Sequence, residues 1–280
     1  MTDGLGSLFD VRGKVVVITG AAGGIGAALC MAFTALGARV VGADRHAATI
    51  DGPGEVMLFD LRDRPSILDL ARRVQTVYPR VDVLINNAAT GGGGPAETLE
   101  QAQWDAVIAT NLTGSFMCAQ AFGRNMIANG RGKIINLASA CGIFGYPFGA
   151  AYNASKAGLW SVTQTLAVEW SRFNIQVNAV VPGFVETPMN ARSLANDDEM
   201  ALHAGLIPAG RISQPDDLIG PMVFLASAAS DYVTGAMLVA DGGALAAGGA
   251  TALRDFYLRK RSERGGAADE LAVPGGSIQE

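Results

Sequence analysis

Residues 14–29 read KVVVITGAAGGIGAAL. A β-branched run from Val15 to Thr19 stops at Gly20, and glycines recur at 23, 24 and 26 before an alanine-rich stretch begins. Apolar β-branched residues without alternation describe a strand covered on both faces. Gly20, Gly24 and Gly26 let the backbone bend sharply and approach a ligand closely. A helix opening at that turn presents free N–H groups and the positive end of its dipole, which suits a pyrophosphate. A glycine-rich turn alone is a weak sign; one placed after the first strand and opening a helix has the context that dinucleotide binding requires.

Outward from this unit the pattern repeats. Residues 38–44 (ARVVGAD), 55–61 (EVMLFDL), 81–89 (VDVLINNAA), 132–139 (GKIINLAS), 175–183 (IQVNAVVPG) and 235–243 (GAMLVADGG) read as further strands. Helical stretches over 24–36, 64–77, 100–128, 152–172 and 215–228 separate them. Strand and helix alternating along a chain predict an α/β fold: a doubly wound, Rossmann-type sheet of seven parallel strands with helices on both faces. One domain over residues 8–245 accommodates all seven, with a lid over about 188–211 and an extension over 246–280.

Composition narrows the function. The 280 residues are 49% hydrophobic and 17% charged, as expected when much of a chain is buried in a compact domain or between subunits. A net charge of −5 disfavours nucleic acid or an anionic membrane surface as the main partner. No apolar run approaches the roughly 18 residues a membrane span needs, and MTDGLGSLFD lacks the basic and apolar regions of a signal peptide. Cys30, Cys118 and Cys141 fit no metal spacing, and the only histidines are His46 and His203, so no metal site is expected. Three unpaired cysteines suit a reducing, cytoplasmic setting.

The second strand ends at Asp44, 18 residues after Gly26. A carboxylate there accepts hydrogen bonds from the adenosine ribose hydroxyls of NAD and repels the extra phosphate of NADP. Arg45 follows and is able to pair with that phosphate, but no basic residue stands in GAAGG to help it. NAD is therefore the expected cofactor.

In AAYNASKAGLW (150–160), Tyr152 and Lys156 stand four apart, a spacing that places two side chains on one helix face. Alone, such a pair is ordinary. Here it belongs to an ordered series: TGAAGGIG at 19–26, Asp60 with Leu61, NNAA at 86–89, Asn111, Ser139, Tyr152 with Lys156, PGFVET at 182–187 and DGG at 241–243. In this series the chain resembles the short-chain dehydrogenase/reductase family, over nearly the whole of residues 8–245.

The resemblance implies the roles. Tyr152 is the general acid/base of hydride transfer between a secondary alcohol and a ketone. Lys156 holds the nicotinamide ribose and, with the positive nicotinamide ring, draws the phenol down from its ordinary value near 10. Ser139, 13 residues before Tyr152, hydrogen-bonds the substrate oxygen. Asn111 holds a helix irregularity and a water behind Lys156. Gly20, Gly24, Ile25, Gly26, Asp44, Arg45, Asp60, Leu61, Asn87, Ala88, Pro182, Gly183, Val185 and Thr187 contact the cofactor. In this set Asp60 bonds the adenine and Leu61 packs near it, Asn87 lies under the adenosine ribose, and Thr187 takes the carboxamide. The family's common Asn-Asn-Ala-Gly ends here in Ala89, and TGGGGP follows at once, so this loop is expected to be more mobile than usual, with cofactor binding retained.

Ile143, Phe144, Tyr146, Phe148, Phe184 and Met189 are candidate walls for an apolar alcohol or ketone, with core or subunit contacts as the alternative. Cys141 reads as a packing residue, since no base partner is evident. Asn190, Arg192 and His203 are expected to be solvated, with recognition of a hydroxylated or acidic substrate as the alternative. The partners expected are a small alcohol or ketone and further copies of the chain, as a homotetramer or homodimer; Trp160, Leu166 and Trp170 are candidate contacts, with core packing as the alternative. Residues 251–280 read as a solvated tail, or as one whose Phe256, Tyr257 and Leu258 pack on a neighbour. An NADPH-dependent 3-oxoacyl or other carbonyl reductase, and a non-catalytic nucleotide-binding relative, remain as alternatives.

Overall fold

Val15–Thr19 forms β1 and is buried at every position, its side chains alternating between two cores. Val15 and Val17 enter one core, Val16 and Ile18 the other, as the two-residue period of a strand requires. Both faces of the sheet are covered in this way. The computed structural model describes residues 6–47, 49–50, 54–194 and 197–248; for 49–50, 54–55, 192–194, 197 and 199 it describes the backbone alone.

The other strands of the main sheet are β2 (Arg39–Asp44), β3 (Met57–Leu58), β4 (Val83–Asn86), β5 (Gly132–Leu137), β6 (Ile175–Pro182) and β7 (Met237–Ala240). They pair in the order β3-β2-β1-β4-β5-β6-β7, all parallel. The order reverses between β1 and β4, so the crevice beyond their C-terminal ends is the expected ligand site of this Rossmann-type sheet. All eight residues of β6 are buried, as befits an interior parallel strand.

Helices α1 (Gly24–Ala35) and α7 (Ile219–Ala226) cover one face through Leu29, Phe33, Met222 and Leu225. On the other face α2 (Arg64–Val77), α4 (Ser115–Ala128) and α5 (Ala150–Trp170) contribute Leu70, Phe122, Met126 and Leu166. Burying such a side chain fully contributes about 1.5–3 kcal/mol. Asp63 starts α2 by accepting from the Ser66 N–H at 3.1 Å. Between α3 (Gln101–Ile108) and α4 lies a π-helical turn, Ala109–Gly114, which breaks the predicted helix 100–128 in the middle. The lid contains a short 3₁₀ stretch, Pro188–Leu194, and helix α6 (Asp197–Gly205); α8 (Ala244–Ala247) follows β7.

One expectation is corrected. The strand expected over 55–61 is reduced to Met57–Leu58, because it sits at the sheet edge with β2 as its one neighbour. Residues 49–50 and 54–55 pair instead as a separate antiparallel ribbon. Trp160, Leu166 and Trp170 serve the core: Leu166 is buried within it, and the tryptophans pack against its clusters. Phe256, Tyr257 and Leu258, with all of 249–280, lie outside the described residues. Among the described residues no helix is long and apolar enough to cross a membrane.

Candidate active site

At the switch point Gly20 has φ +71°, open to a side chain only with strain. A Cβ there would sit 2.7 Å from the Ala88 backbone, and one on Gly26 would land on the Gly20 carbonyl oxygen. The turn is thus closed by backbone packing. The Asn87 side chain donates to the Thr19 and Gly20 carbonyls at 2.9 and 3.1 Å, tying the end of β4 to the turn. Thr19, not singled out from the sequence, accepts from the Asn87 and Ala88 N–H groups at 3.1 Å each. Thr187 and Pro188 reach the same turn: a Cβ on Gly24 would meet their side chains at 3.3 and 3.1 Å.

Asp44 is buried, and its carboxylate accepts from the Ala22 N–H at 3.1 Å and the His46 N–H at 3.0 Å. It therefore braces the glycine turn; a carboxylate offers about four acceptor positions, so capacity remains for hydroxyls. Arg45 turns its guanidinium to His46 Nε2 at 3.0 Å. Asp60 is held by Arg62 in a bidentate pair, and that guanidinium lowers its carboxyl below the ordinary value. Leu61 is a core residue; a Cβ on Gly114 of the π turn would meet its side chain at 2.5 Å.

Ile25 and Ala88 each pack against a core cluster. Pro182 ends β6, and Gly183 is so close to Asp241 that a Cβ would lie 3.0 Å from its Cα. Val185 is buried, and its carbonyl accepts from the Asn190 side chain at 2.8 Å.

Ser139, Tyr152 and Lys156 converge where β5 ends and α5 begins. Lys156 is 3% exposed and donates to the Leu137 carbonyl at 2.7 Å, its ammonium 5.6 Å from the centre of the Tyr152 ring. Ser139 accepts from the Cys141 N–H at 3.2 Å. Burial pushes the Tyr152 phenol up to about 12, the nearby Cys141 thiol adding to the rise, while the Ser139 hydroxyl pulls the other way. Burial pushes Lys156 down to about 8. The expected depression of the phenol belongs to the cofactor-bound site, where the positive nicotinamide ring stands beside it. In the protein by itself, removing the phenol from water dominates, because desolvation penalises a phenolate directly. Cys141 is half-buried and its thiol is likewise pushed up by burial.

Asn111 lies within the π turn, fully buried. Its side chain accepts from the Thr90 N–H at 2.8 Å and donates to the Thr90 carbonyl at 3.0 Å and to Ser155 Oγ at 3.1 Å. Ser155 in turn donates to the Tyr152 carbonyl at 2.7 Å. Asn111 thereby joins the loop after β4 to the first turns of α5, a role the spacing did not disclose. The loop expected to be mobile is fastened at both ends: at Thr90 in this way, and at Gly94, whose N–H donates to the Phe148 carbonyl at 2.9 Å.

Two of the lid residues expected to be solvated have partners. Asn190 bonds Val185, and His203 stacks on Phe184 with ring centres 4.1 Å apart. The side chain of Arg192 lies outside the described residues. Ile143, Phe144, Tyr146, Phe148 and Met189 are exposed around the segment after Ser139 and the start of the lid.

A parallel sheet of this order, a glycine turn at its switch point and a Ser–Tyr–Lys group at the next strand end define a class. A family model described as "Enoyl-(Acyl carrier protein) reductase" matches residues 20–244. The chain belongs to the short-chain dehydrogenase/reductase family.

Among its relatives, the "NAD-dependent glycerol dehydrogenase" of Listeria innocua serovar 6a is 38% identical over 242 residues, covering 84% of this chain and 95% of that protein. The "3-oxoacyl-[acyl-carrier-protein] reductase" of Thermotoga maritima is 40% identical over 243 residues, covering 83% and 98%. A crystal structure of "a gluconate 5-dehydrogenase from Burkholderia cenocepacia J2315 in complex with NADP and tartrate" superposes with a TM-score of 0.82 at 34% identity, covering 86% of this chain and 98% of that one.

Proposed function

We propose that the chain is an NAD-dependent oxidoreductase that interconverts a secondary alcohol and a ketone by hydride transfer, with Tyr152 as general acid/base. The observation that carries this reading is the convergence of Ser139, Tyr152 and Lys156 two strands along the sheet from the glycine turn. The turn fits a dinucleotide: glycines at 20 and 26 let it fold tightly, since a Cβ on either would strike the Ala88 backbone or the Gly20 carbonyl, and the turn opens a helix N-terminus at Gly24.

When bound, the nicotinamide supplies hydride acceptance or donation; the chain's own residues handle the proton and the geometry. Tyr152 passes a proton to or from the substrate oxygen, and Ser139 donates to that oxygen where charge develops. Lys156 spends one of its three donors on Leu137 and keeps the others for the ribose and the proton path. Asn111, through Thr90 and Ser155, holds the surrounding loops in register.

NAD is favoured by Asp44, whose carboxylate stands where the extra phosphate of NADP would be repelled. A second reading, an NADPH-dependent 3-oxoacyl or other carbonyl reductase, draws support from the Thermotoga relative and from the NADP named with the Burkholderia structure. In either reading the chain works in the cytoplasm as a homotetramer or homodimer; Val168, 80% exposed on α5, is an apolar contact suited to that. Light scattering tests the assembly, and a clean monomer would count against it.

The activity is tested with purified protein, NAD or NADP, and a panel of secondary alcohols and ketones, followed by the absorbance of the reduced nicotinamide. Turnover with NAD at the higher kcat/KM supports the proposal. Absence of turnover across the panel with both cofactors would sink it.

A further inference from the structure

Phe148 has φ +61°, and among the described residues the one other non-glycine with positive φ is Asn174. Asparagine tolerates that region because its short amide bonds locally; a phenylalanine there is strained. Burial of the ring does not offset the strain, since Phe148 is 67% exposed. A strained residue beside a candidate catalytic group is grounds for seeking a function.

The backbone supplies one. The left-handed turn aims the Phe148 carbonyl at the glycine strip after β4, where it accepts the Gly94 N–H at 2.9 Å. Gly93 lies so close beneath it that a Cβ would land on that oxygen. Upstream, Thr90 is clamped by Asn111, and a Cβ on Gly91 would touch the Met189 side chain of the lid. Downstream, the Tyr146 carbonyl accepts from the Asn153 side chain at 2.9 Å, and the Asn153 N–H donates to Gly149 at 2.7 Å. The latch therefore connects the loop after β4 to the turn that carries Tyr152. At Gly93 only a residue without a side chain passes this close.

We propose that Phe148 determines substrate size: its strained carbonyl latches Gly91–Gly94 across the approach to Tyr152, and its exposed ring forms the outer wall, so that compact alcohols enter and bulky ones are refused. The proposal rests on the alcohol/ketone reading above and adds to it the class of substrate, small and compact.

Four proteins test it with NAD and three secondary alcohols of increasing bulk: isopropanol, cyclohexanol and borneol. Gly93→Ala places a methyl on the latch oxygen, and its kcat/KM ratio for borneol over isopropanol is expected to rise about tenfold, the order one pocket contact contributes to discrimination. Phe148→Gly keeps the carbonyl and removes the ring; its ratio moves the same way, with no fall in Tm. Gly94→Ala, whose Cβ meets open space and whose N–H is kept, matches wild type.

Amide exchange at Gly94, measured by mass spectrometry, reads the latch without turnover: slow in wild type and Phe148→Gly, fast in Gly93→Ala. A size ratio unmoved in both Gly93→Ala and Phe148→Gly, or equal exchange in wild type and Gly93→Ala, overturns the proposal. If wild type turned over no alcohol, the reaction reading would fall, and with it the size assignment, while exchange would still decide the latch.

Discussion

The Asp44 carboxylate accepts the N–H of Ala22 at 3.1 Å, so the acidic residue at the end of β2 is part of the glycine turn that follows β1. One side chain thus shapes the phosphate cradle and stands where the ribose hydroxyls are expected. Asp44→Ala removes both at once. Its kcat/KM with NAD should fall by roughly tenfold or more, with the NAD-to-NADP ratio moving toward NADP. Losing the bonds to Ala22 and His46 should also cost about 1–3 kcal/mol in urea unfolding. An unchanged cofactor ratio would refute the assignment.

The glycines of the turn are predicted to differ in tolerance. A Cβ on Gly23 meets the Gly20 oxygen at an ordinary 3.4 Å, whereas one on Gly26 lands on that oxygen. Gly23→Ala should fold and bind cofactor close to wild type, while Gly26→Ala should lose cofactor binding and soluble yield. Calorimetric titration with NAD distinguishes them; equal affinity in the two variants would contradict the packing.

Asn111→Leu should destabilise the chain by roughly 2–4 kcal/mol, since it removes the side-chain partner of the half-buried Thr90 N–H and C=O and leaves the buried Ser155 hydroxyl with its bond to Tyr152 alone. Turnover should fall with it, because the loop after β4 and the start of α5 lose their common partner. A denaturation midpoint within error of wild type would show that the three bonds carry nothing.

Stability should depend on pH in two opposed windows. Lys156, lowered from 10.5 to about 8, binds its proton more weakly in the folded state; its contribution is complete above 10.5 and is lost as pH falls through 8. Tyr152, raised from 10 to about 12, acts oppositely: its contribution is complete below 10 and is lost as pH rises through 12. Lys14 and Lys133 are lowered in the same sense as Lys156, and Cys30, Cys118 and Cys141 are raised and act oppositely. The Lys156 share is therefore read as a difference: between pH 8 and 10 the Tm of wild type should climb relative to that of Lys156→Met, which should also lose turnover. A climb of equal size in the variant would mean that another group causes it.

Tyr152→Phe removes the proton donor and leaves the ring packing in place. Turnover should drop by about 10²–10⁴-fold, the usual contribution of general acid–base catalysis, with NAD affinity near wild type. Retained turnover would remove Tyr152 from the mechanism.

The run of parallel strands and the glycine turn were legible because each rests on a short-range rule. Strands show as β-branched runs and the turn as glycines that a Cβ would block, whereas Ser139, Tyr152 and Lys156 were legible as a set only through family resemblance, a helix spacing of four being ordinary by itself. Met57–Leu58 was overestimated because an edge strand and an interior one share the same local residues. The break at Ala109–Gly114 was legible only through family resemblance, since ATNLTG differs little from an ordinary helical segment.

By itself, then, the chain's order of residues determined the parallel sheet and the place of the glycine turn as local patterns repeated along it, and the reaction class through the family that its ordered motifs resemble. The tertiary structure alone decided what those residues touch: Asp44 on Ala22, Asn111 on Thr90 and Ser155, Lys156 on Leu137, Phe148 on Gly94. The physical reason is that each bond joins groups far apart in the chain, so its existence depends on where the sheet delivers both ends. The high Tyr152 phenol belongs to the same category, because burial is a property of the assembled fold and no pair of residues announces it in advance.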